Sequence, residues 1–235
     1  MPLSCPLPLV MTAYGCDEPL SSRVWVPETT VMIGPSDWEA EGRVTPRIVK
    51  AGPFFIDRLE TSIGRVFCPS CPLPRPEVFD RTDPARAASG VTRDEAQSFC
   101  MAQGGRLPTE DEWTIAAAGD GPRRYPWGDT GAVCRRAAWG LAVGPCGSGA
   151  VAPDTVGAHP DGATPSGIDD LAGNVAEWVI APCVGCAVAR GGSFESALAA
   201  DLRTWHRSEL PEITRSMTIG FRCAYAADAA GSKLP

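Results

Sequence analysis

Glycine and proline punctuate this chain so densely that no long helix or broad sheet can run through it. There are 25 glycines and 23 prolines among 235 residues. Glycine opens left-handed turns, and proline fixes φ and removes a backbone donor. Such a chain folds through many turns and short elements, and needs something besides hydrogen-bond ladders to hold it. Ten cysteines, at positions 5, 16, 68, 71, 100, 134, 146, 183, 186 and 223, are the obvious staples. They are too many for a typical reduced cytosolic chain and point to an extracytoplasmic setting: periplasm, envelope or secreted.

From Cys68 onward eight cysteines remain. Short spacings suggest the pairs Cys68–Cys71, Cys134–Cys146 and Cys183–Cys186, leaving Cys100 and Cys223, although spacing alone does not decide connectivity. The two Cys-x-x-Cys pairs have an alternative as one Cys₄ zinc site. Local disulfides are the reading favoured for an exported chain.

The hydrophobic fraction of 44% and charged fraction of 21% are those of a globular protein. The net charge is −7, without a Lys/Arg cluster, which argues against a nucleic-acid partner. Residues 1–24 read as a leader. Its Ala13-Tyr14-Gly15-Cys16-Asp17 looks like a degraded lipoprotein box, with Cys16 as a possible lipid anchor. One compact domain is expected over 25–228, with a tail at 229–235. No later segment is apolar for the roughly 18 residues a membrane helix requires.

Residues 22–35 and 44–60 are rich in β-branched and aromatic residues between turn signals, and predict short strands. Residues 69–90 read as a long surface loop. Thr92-x-x-Glu95 and Thr109-x-x-Glu112 are capping boxes that open two short helices. The first places Ala96, Phe99 and Cys100 on one face, and the second stops at Gly119.

Seven motifs occur in order: Phe54-Phe55-Ile56-Asp57 to Thr61; Val91 to Cys100; Gly105-Arg106-Leu107-Pro108-Thr109-Glu110-Asp111-Glu112-Trp113; Tyr125-Pro126-Trp127-Gly128-Asp129; Leu171 to Val179, containing Gly173-Asn174 and Glu177-Trp178; Arg190-Gly191-Gly192-Ser193-Phe194; and Gly220-Phe221-Arg222-Cys223. Together they resemble the formylglycine-generating enzyme family, also called sulfatase-modifying factors. The resemblance implies an irregular, C-type-lectin-like α+β fold. It also implies a Cys100–Cys223 disulfide and a calcium loop. The calcium ligands would be the carboxylates of Asp170 and Glu177 and the carbonyls of Gly173 and Val175; hard oxygens in irregular geometry suit calcium. The alternative is that Asp170 is a turn residue and that Glu177 pairs with Arg190 or Arg222.

The family's oxidase chemistry needs two copper-binding thiols just after the Gly-Gly-Ser turn. Here those positions fall at Ser196 and Asp201, and neither residue replaces a soft thiolate. Copper and formylglycine formation are therefore not expected, and no catalytic residue is assigned. The groove around Ser193, Glu195, Asp201, Arg203, Trp205, His206 and Arg207 remains as a candidate surface for a peptide, a glycan or an envelope protein. The alternative there is that Trp205 is core and the charges are solvated. His159, in an Ala-His-Pro-Asp loop, reads as a surface residue. The leading expectation is a calcium-stabilised, disulfide-stapled binding module. The competing one is an oxidase, either a formylglycine-generating enzyme acting on a sulfatase-type cysteine or another activity in the same groove.

Overall fold

The computed structural model describes residues 22–34, 45–68 and 76–227. The elements are as short as the glycines and prolines require. Strand β1 is Arg23–Val26, β2 Thr29–Ile33, β3 Arg47–Ala51 and β4 Phe54–Asp57. A one-turn helix, α1 (Ile63–Val66), precedes α2 (Arg93–Ala102) and α3 (Glu110–Ala118). The chain then runs irregularly to β5 (Ala176–Val179), β6 (Ala187–Arg190), β7 (Arg207–Leu210), β8 (Ile219–Gly220) and β9 (Ala224–Ala226).

These strands make three small sheets, ordered β1-β4-β9, β2-β3 and β7-β6-β5-β8. All pairings are antiparallel except β5 with β8. The β4–β9 pairing sets Phe54 against Ala226, so the last strand closes on the first sheet. Few helices and several small sheets are the α+β architecture the sequence motifs implied. No helix among the described residues is long and apolar enough to cross a membrane.

Both capping boxes form. Thr92 and Thr109 accept from the backbone N–H of Glu95 and Glu112, whose carboxylates reach back to the cap N–H. Each box satisfies two otherwise orphaned donors. Helix α3 ends at Gly119, where φ is +69°. Its Ile115 and Ala116 pack with Val31, Val49, Val179 and Val188. Helix α2 buries Ala96, Phe99 and Cys100 against Phe221, Trp178 and Ile219 in a second cluster. Full burial of Trp113, Trp178, Phe54, Phe99, Phe194 and Phe221 anchors these clusters. Each such side chain is worth about 1.5–3 kcal/mol relative to exposure.

Cys100–Cys223 ties α2 to the turn before β9, joining segments 123 residues apart. Cys134–Cys146 and Cys183–Cys186 close local loops. Cys68 is also disulfide-bonded; Cys71 lies outside the described residues, as do Cys16 and residues 1–21 of the proposed leader; the leader's bound at 24 cuts into β1, whose Arg23 and Val24 pair with Asp57 and Ile56. The expected surface loop over 69–90 needs correction for its described part. Val78, Ala87, Ala88 and Ser89 are buried there, because backbone bonds such as Ala88 N–H to Thr61 O draw the segment into the core.

Candidate functional site

Strand β5 projects Glu177 inward, where it meets Arg222 from the loop before β9. Arg222 is wholly buried. Its Nη2 donates to Glu177 Oε1 at 2.6 Å, and its Nε lies 2.8–2.9 Å from both carboxylate oxygens. Trp113 Nε1 donates to Oε2 at 2.8 Å. The rest of the guanidinium donates to the carbonyls of Asp57, Arg58 and Asp169. One arginine thus ties together β4, β5 and the loop at 169, satisfying polar groups that burial would otherwise penalise.

That geometry revises the calcium expectation. With four donor contacts, the roughly four lone-pair sites of a carboxylate are taken up. Glu177 is therefore an arginine partner first, and an ion there would have to share it. Arg190, its register partner across β5–β6, turns instead to Glu110 Oε1 at 2.6 Å and to Thr204 O at 2.7 Å. Burial pulls the Arg190 guanidinium down to about 10.

Asp170 sits in the left-handed region at φ +57° and is buried. Its Oδ2 accepts from Gly157 N–H at 2.5 Å. Burial pushes its carboxyl up to about 6. Glu60 accepts from Asn174 Nδ2 and Val175 N–H. Burial, and then the charges of Asp170 and Glu177, hold it well above the usual carboxylate range. Asp169 Oδ1 is buried without a protein hydrogen-bond partner. Gly173, at φ +83°, has no room for a side chain, which would strike the Ala138 carbonyl. The loop thus gathers more acid than Arg222 neutralises, and in charge it suits a hard cation.

The segment after Gly192 has become an ordinary turn. Ser196 Oγ accepts from Ser193 N–H at 3.0 Å, and Ser196 N–H donates to Ser193 O at 3.0 Å. Ser193 Oγ accepts from Glu195 N–H. Asp201 lies in a 3₁₀ turn, Ala199–Leu202. Gly192, at φ +70°, brings its Cα close against the Asp201 carbonyl; an added Cβ would lie 2.8 Å from that oxygen.

The expected groove is largely filled by its own side chains. Trp205 is only 8% exposed and belongs to the α3 core cluster, so it is not a groove wall; its indole packs where apolar area is best buried. Arg203 is buried with its guanidinium 5.9 Å from the Trp205 ring. Arg207 pairs with Glu110 at 2.9 Å and with Glu209. Burial pushes the partly buried His206 imidazole down, opposed by the Asp201 charge. Glu195 and Leu198 remain exposed. Two cavities lie elsewhere. One, of about 310 Å³, is lined by Trp25, Pro27, Ile115, Asp120 and Arg123. The other, of about 230 Å³, is lined by Arg93, Gln97, Leu107 and Ile180. Neither includes a residue of 193–207. His159 is not a free surface residue either: it contacts Asp154 at 3.3 Å, and that hydrogen bond raises its pKa.

Sequence reasoning placed Asp57 and Glu60 in a motif but gave neither a role, and it did not single out Arg65. Asp57 accepts from Arg65 at 2.7 Å, and both are buried. The signals were that motif and an acid at the end of an otherwise apolar strand, Phe54–Asp57.

Comparison with known proteins agrees with this architecture. The family model "Sulfatase-modifying factor enzyme 1-like domain" matches residues 74–227. Hercynine oxygenase of Mycolicibacterium thermoresistibile is 40% identical over 103 residues, 42% of this chain and 22% of that protein. Inactive C-alpha-formylglycine-generating enzyme 2 of Bos taurus is 34% identical over 154 residues, 58% of this chain and 49% of that protein. The chain therefore spans less than half the length of these curated relatives. Among solved structures, Treponema denticola variable protein 1 superposes with a TM-score of 0.67 at 19% identity, over 86% of this chain and 94% of that one. PvdO from Pseudomonas aeruginosa gives 0.66 at 20% identity, over 86% and 93%. At such identities these two show a shared fold. The match over most of the described domain, together with the fold, makes this chain a member of the sulfatase-modifying factor (formylglycine-generating enzyme) family.

Proposed function

We propose that this chain is a binding module on the sulfatase-modifying fold that works outside the cytoplasm without a copper oxidase reaction. The observation that carries the reading is Ser196. At a position where the family places a thiol, its hydroxyl is bound back to Ser193 N–H. The seven cysteines among the described residues are all disulfide-bonded, which leaves no soft thiolate pair for copper there. The same disulfides favour an oxidising compartment. A lipid anchor at Cys16 would fix the module to an envelope. A relative carrying the name "inactive" lends further support. The exposed rim at Glu195 and Leu198 is the surface offered to a peptide, a glycan or an envelope protein. Peptide and glycan arrays probed with wild type and with a Glu195→Lys, Leu198→Asp variant test it. Loss of a specific ligand in the variant supports the rim; unchanged binding moves the surface elsewhere.

Calcium belongs to this reading as a stabiliser. Held by Asp170 and the carbonyls of Gly173 and Val175, with Glu177 shared, it would neutralise buried acid and pin the loop. An ion at a hundred times its Kd adds about 2.7 kcal/mol of stability. Thermal unfolding with calcium and with a chelator should differ accordingly, and the difference should vanish in Asp170→Ala. Identical curves in wild type remove calcium from the account.

The competing reading is an oxidase, and similarity to a hercynine oxygenase is what favours it. It requires oxygen consumption with a thiol substrate that survives in Ser196→Ala.

A further inference from the structure

At the tip of the β5–β6 hairpin lies a group of ligands that the family frame does not use. Cys183 and Cys186 form a disulfide across Val184 and Gly185, with Cα atoms 5.4 Å apart. Gly185 takes φ +72° to turn the loop, and Val184 is fully exposed at its crest. Edge strand β7 runs alongside β6, with Glu209 opposite Val188. This brings a Glu209 carboxylate oxygen and both sulfurs within 4.8 Å of one another. Among the described residues no other such group of three forms.

We propose that reduction turns this hairpin tip into a two-thiolate, one-carboxylate site for a thiophilic divalent cation, with Zn²⁺ as the representative ion. The redox step is thiol–disulfide exchange with a dithiol reductant. Its thiolate attacks one sulfur, and the mixed disulfide resolves. Two electrons pass to Cys183 and Cys186, and the donor leaves as its own disulfide. Each cysteine gains a proton, which it gives up again on binding metal. Two thiolates at Cys-x-x-Cys spacing are an ordinary zinc-chelating pair, Glu209 supplies a third ligand, and solvent reaches the fourth position.

The fold tolerates this opening. The disulfide closes a loop of sequence separation 3, against 123 for Cys100–Cys223. Stabilisation by a cross-link grows with loop length, so the hairpin clip contributes less. The β5–β6 ladder holds the hairpin without it. Both cysteines are partly exposed, whereas Cys100 and Cys223 are wholly buried. Glu209 now pairs with Arg207, and Arg207 keeps Glu110 if that carboxylate swings to metal.

The test uses the full chain under native conditions with a phosphine reductant. Alkylation and peptide mass spectrometry should label Cys183 and Cys186 before Cys100 and Cys223. Titration of the reduced protein with Cd²⁺, followed by its thiolate charge-transfer absorption, should then give one site that Zn²⁺ displaces. Cys183→Ser with Cys186→Ser should abolish it, and Glu209→Gln should weaken it at least about tenfold. Glu209→Gln alters an exposed side chain, so circular dichroism should match wild type. Labelling of the buried pair first, no charge-transfer band, or equal affinity in Glu209→Gln would overturn the proposal.

Discussion

The polar centre around Arg222 and the turn from Ser193 to Arg207 are neighbours in the same family frame, and they have fared differently. At the centre, Arg222 and Glu177 make an ion pair in which neither side chain is more than 1% exposed. In the turn, Ser196 and Asp201 stand where the resemblance places the family's thiols, and local hydrogen bonds join residues 193–196. The centre joins segments far apart in the chain, so losing any member leaves a buried group unpaid. Around Ser196 the hydrogen bonds join residues two or three apart, where serine substitutes at little cost. A buried centre that ties distant segments together and a locally bonded stretch at 193–196 therefore sit side by side.

The contrast can be broken by substitution. Arg222→Ala should be the most damaging change, costing about 3–5 kcal/mol in urea unfolding, because it leaves Glu177 charged and buried. A loss below about 1 kcal/mol would mean that the centre is not what holds the fold. Next, replacing both Cys100 and Cys223 by alanine should cost about 2–5 kcal/mol, measured the same way.

Glu112→Gln should cost about 1–2 kcal/mol through the α3 capping box and its Arg106 pair. Burial alone would raise the Glu112 carboxyl, but the Arg106 hydrogen bond and its other partners hold it below its ordinary value of 4.5. Its stabilisation is thus complete above about pH 4.5 and is lost as pH falls through the lower folded value. The variant should flatten that part of the acid limb in a stability–pH curve. An unchanged limb would show that the pair contributes nothing there.

Ser196→Ala should be the mildest, about 0.5–1 kcal/mol for one hydrogen bond. A larger loss would show that the turn carries structural weight after all.

How far the sequence could be read follows the same division. Local devices were legible: both capping boxes, the glycine stop at Gly119 and the short strands from β1 to β4 depend on residues within a few positions of one another. The Cys100–Cys223 staple followed from resemblance and is present. The partner of Glu177 was half legible: the sequence offered Arg190 or Arg222, and only the folded chain chooses Arg222, 45 residues away. Trp205 shows the reverse error. Charged neighbours in sequence made it look like a groove wall, yet the indole packs into the α3 core cluster and Arg203 beside it is buried as well. Helix α1 was missed because one turn, Ile63–Val66, is too short for a periodic signal.

The central claim is that this frame persists without the thiol pair of its family. Alkylation of the unreduced, denatured protein, mapped by peptide mass spectrometry, tests it most directly. The account predicts no label on Cys68, Cys100, Cys134, Cys146, Cys183, Cys186 or Cys223. Stoichiometric labelling of two of these cysteines other than the Cys183–Cys186 pair at the hairpin tip would contradict it and return the oxidase reading to first place.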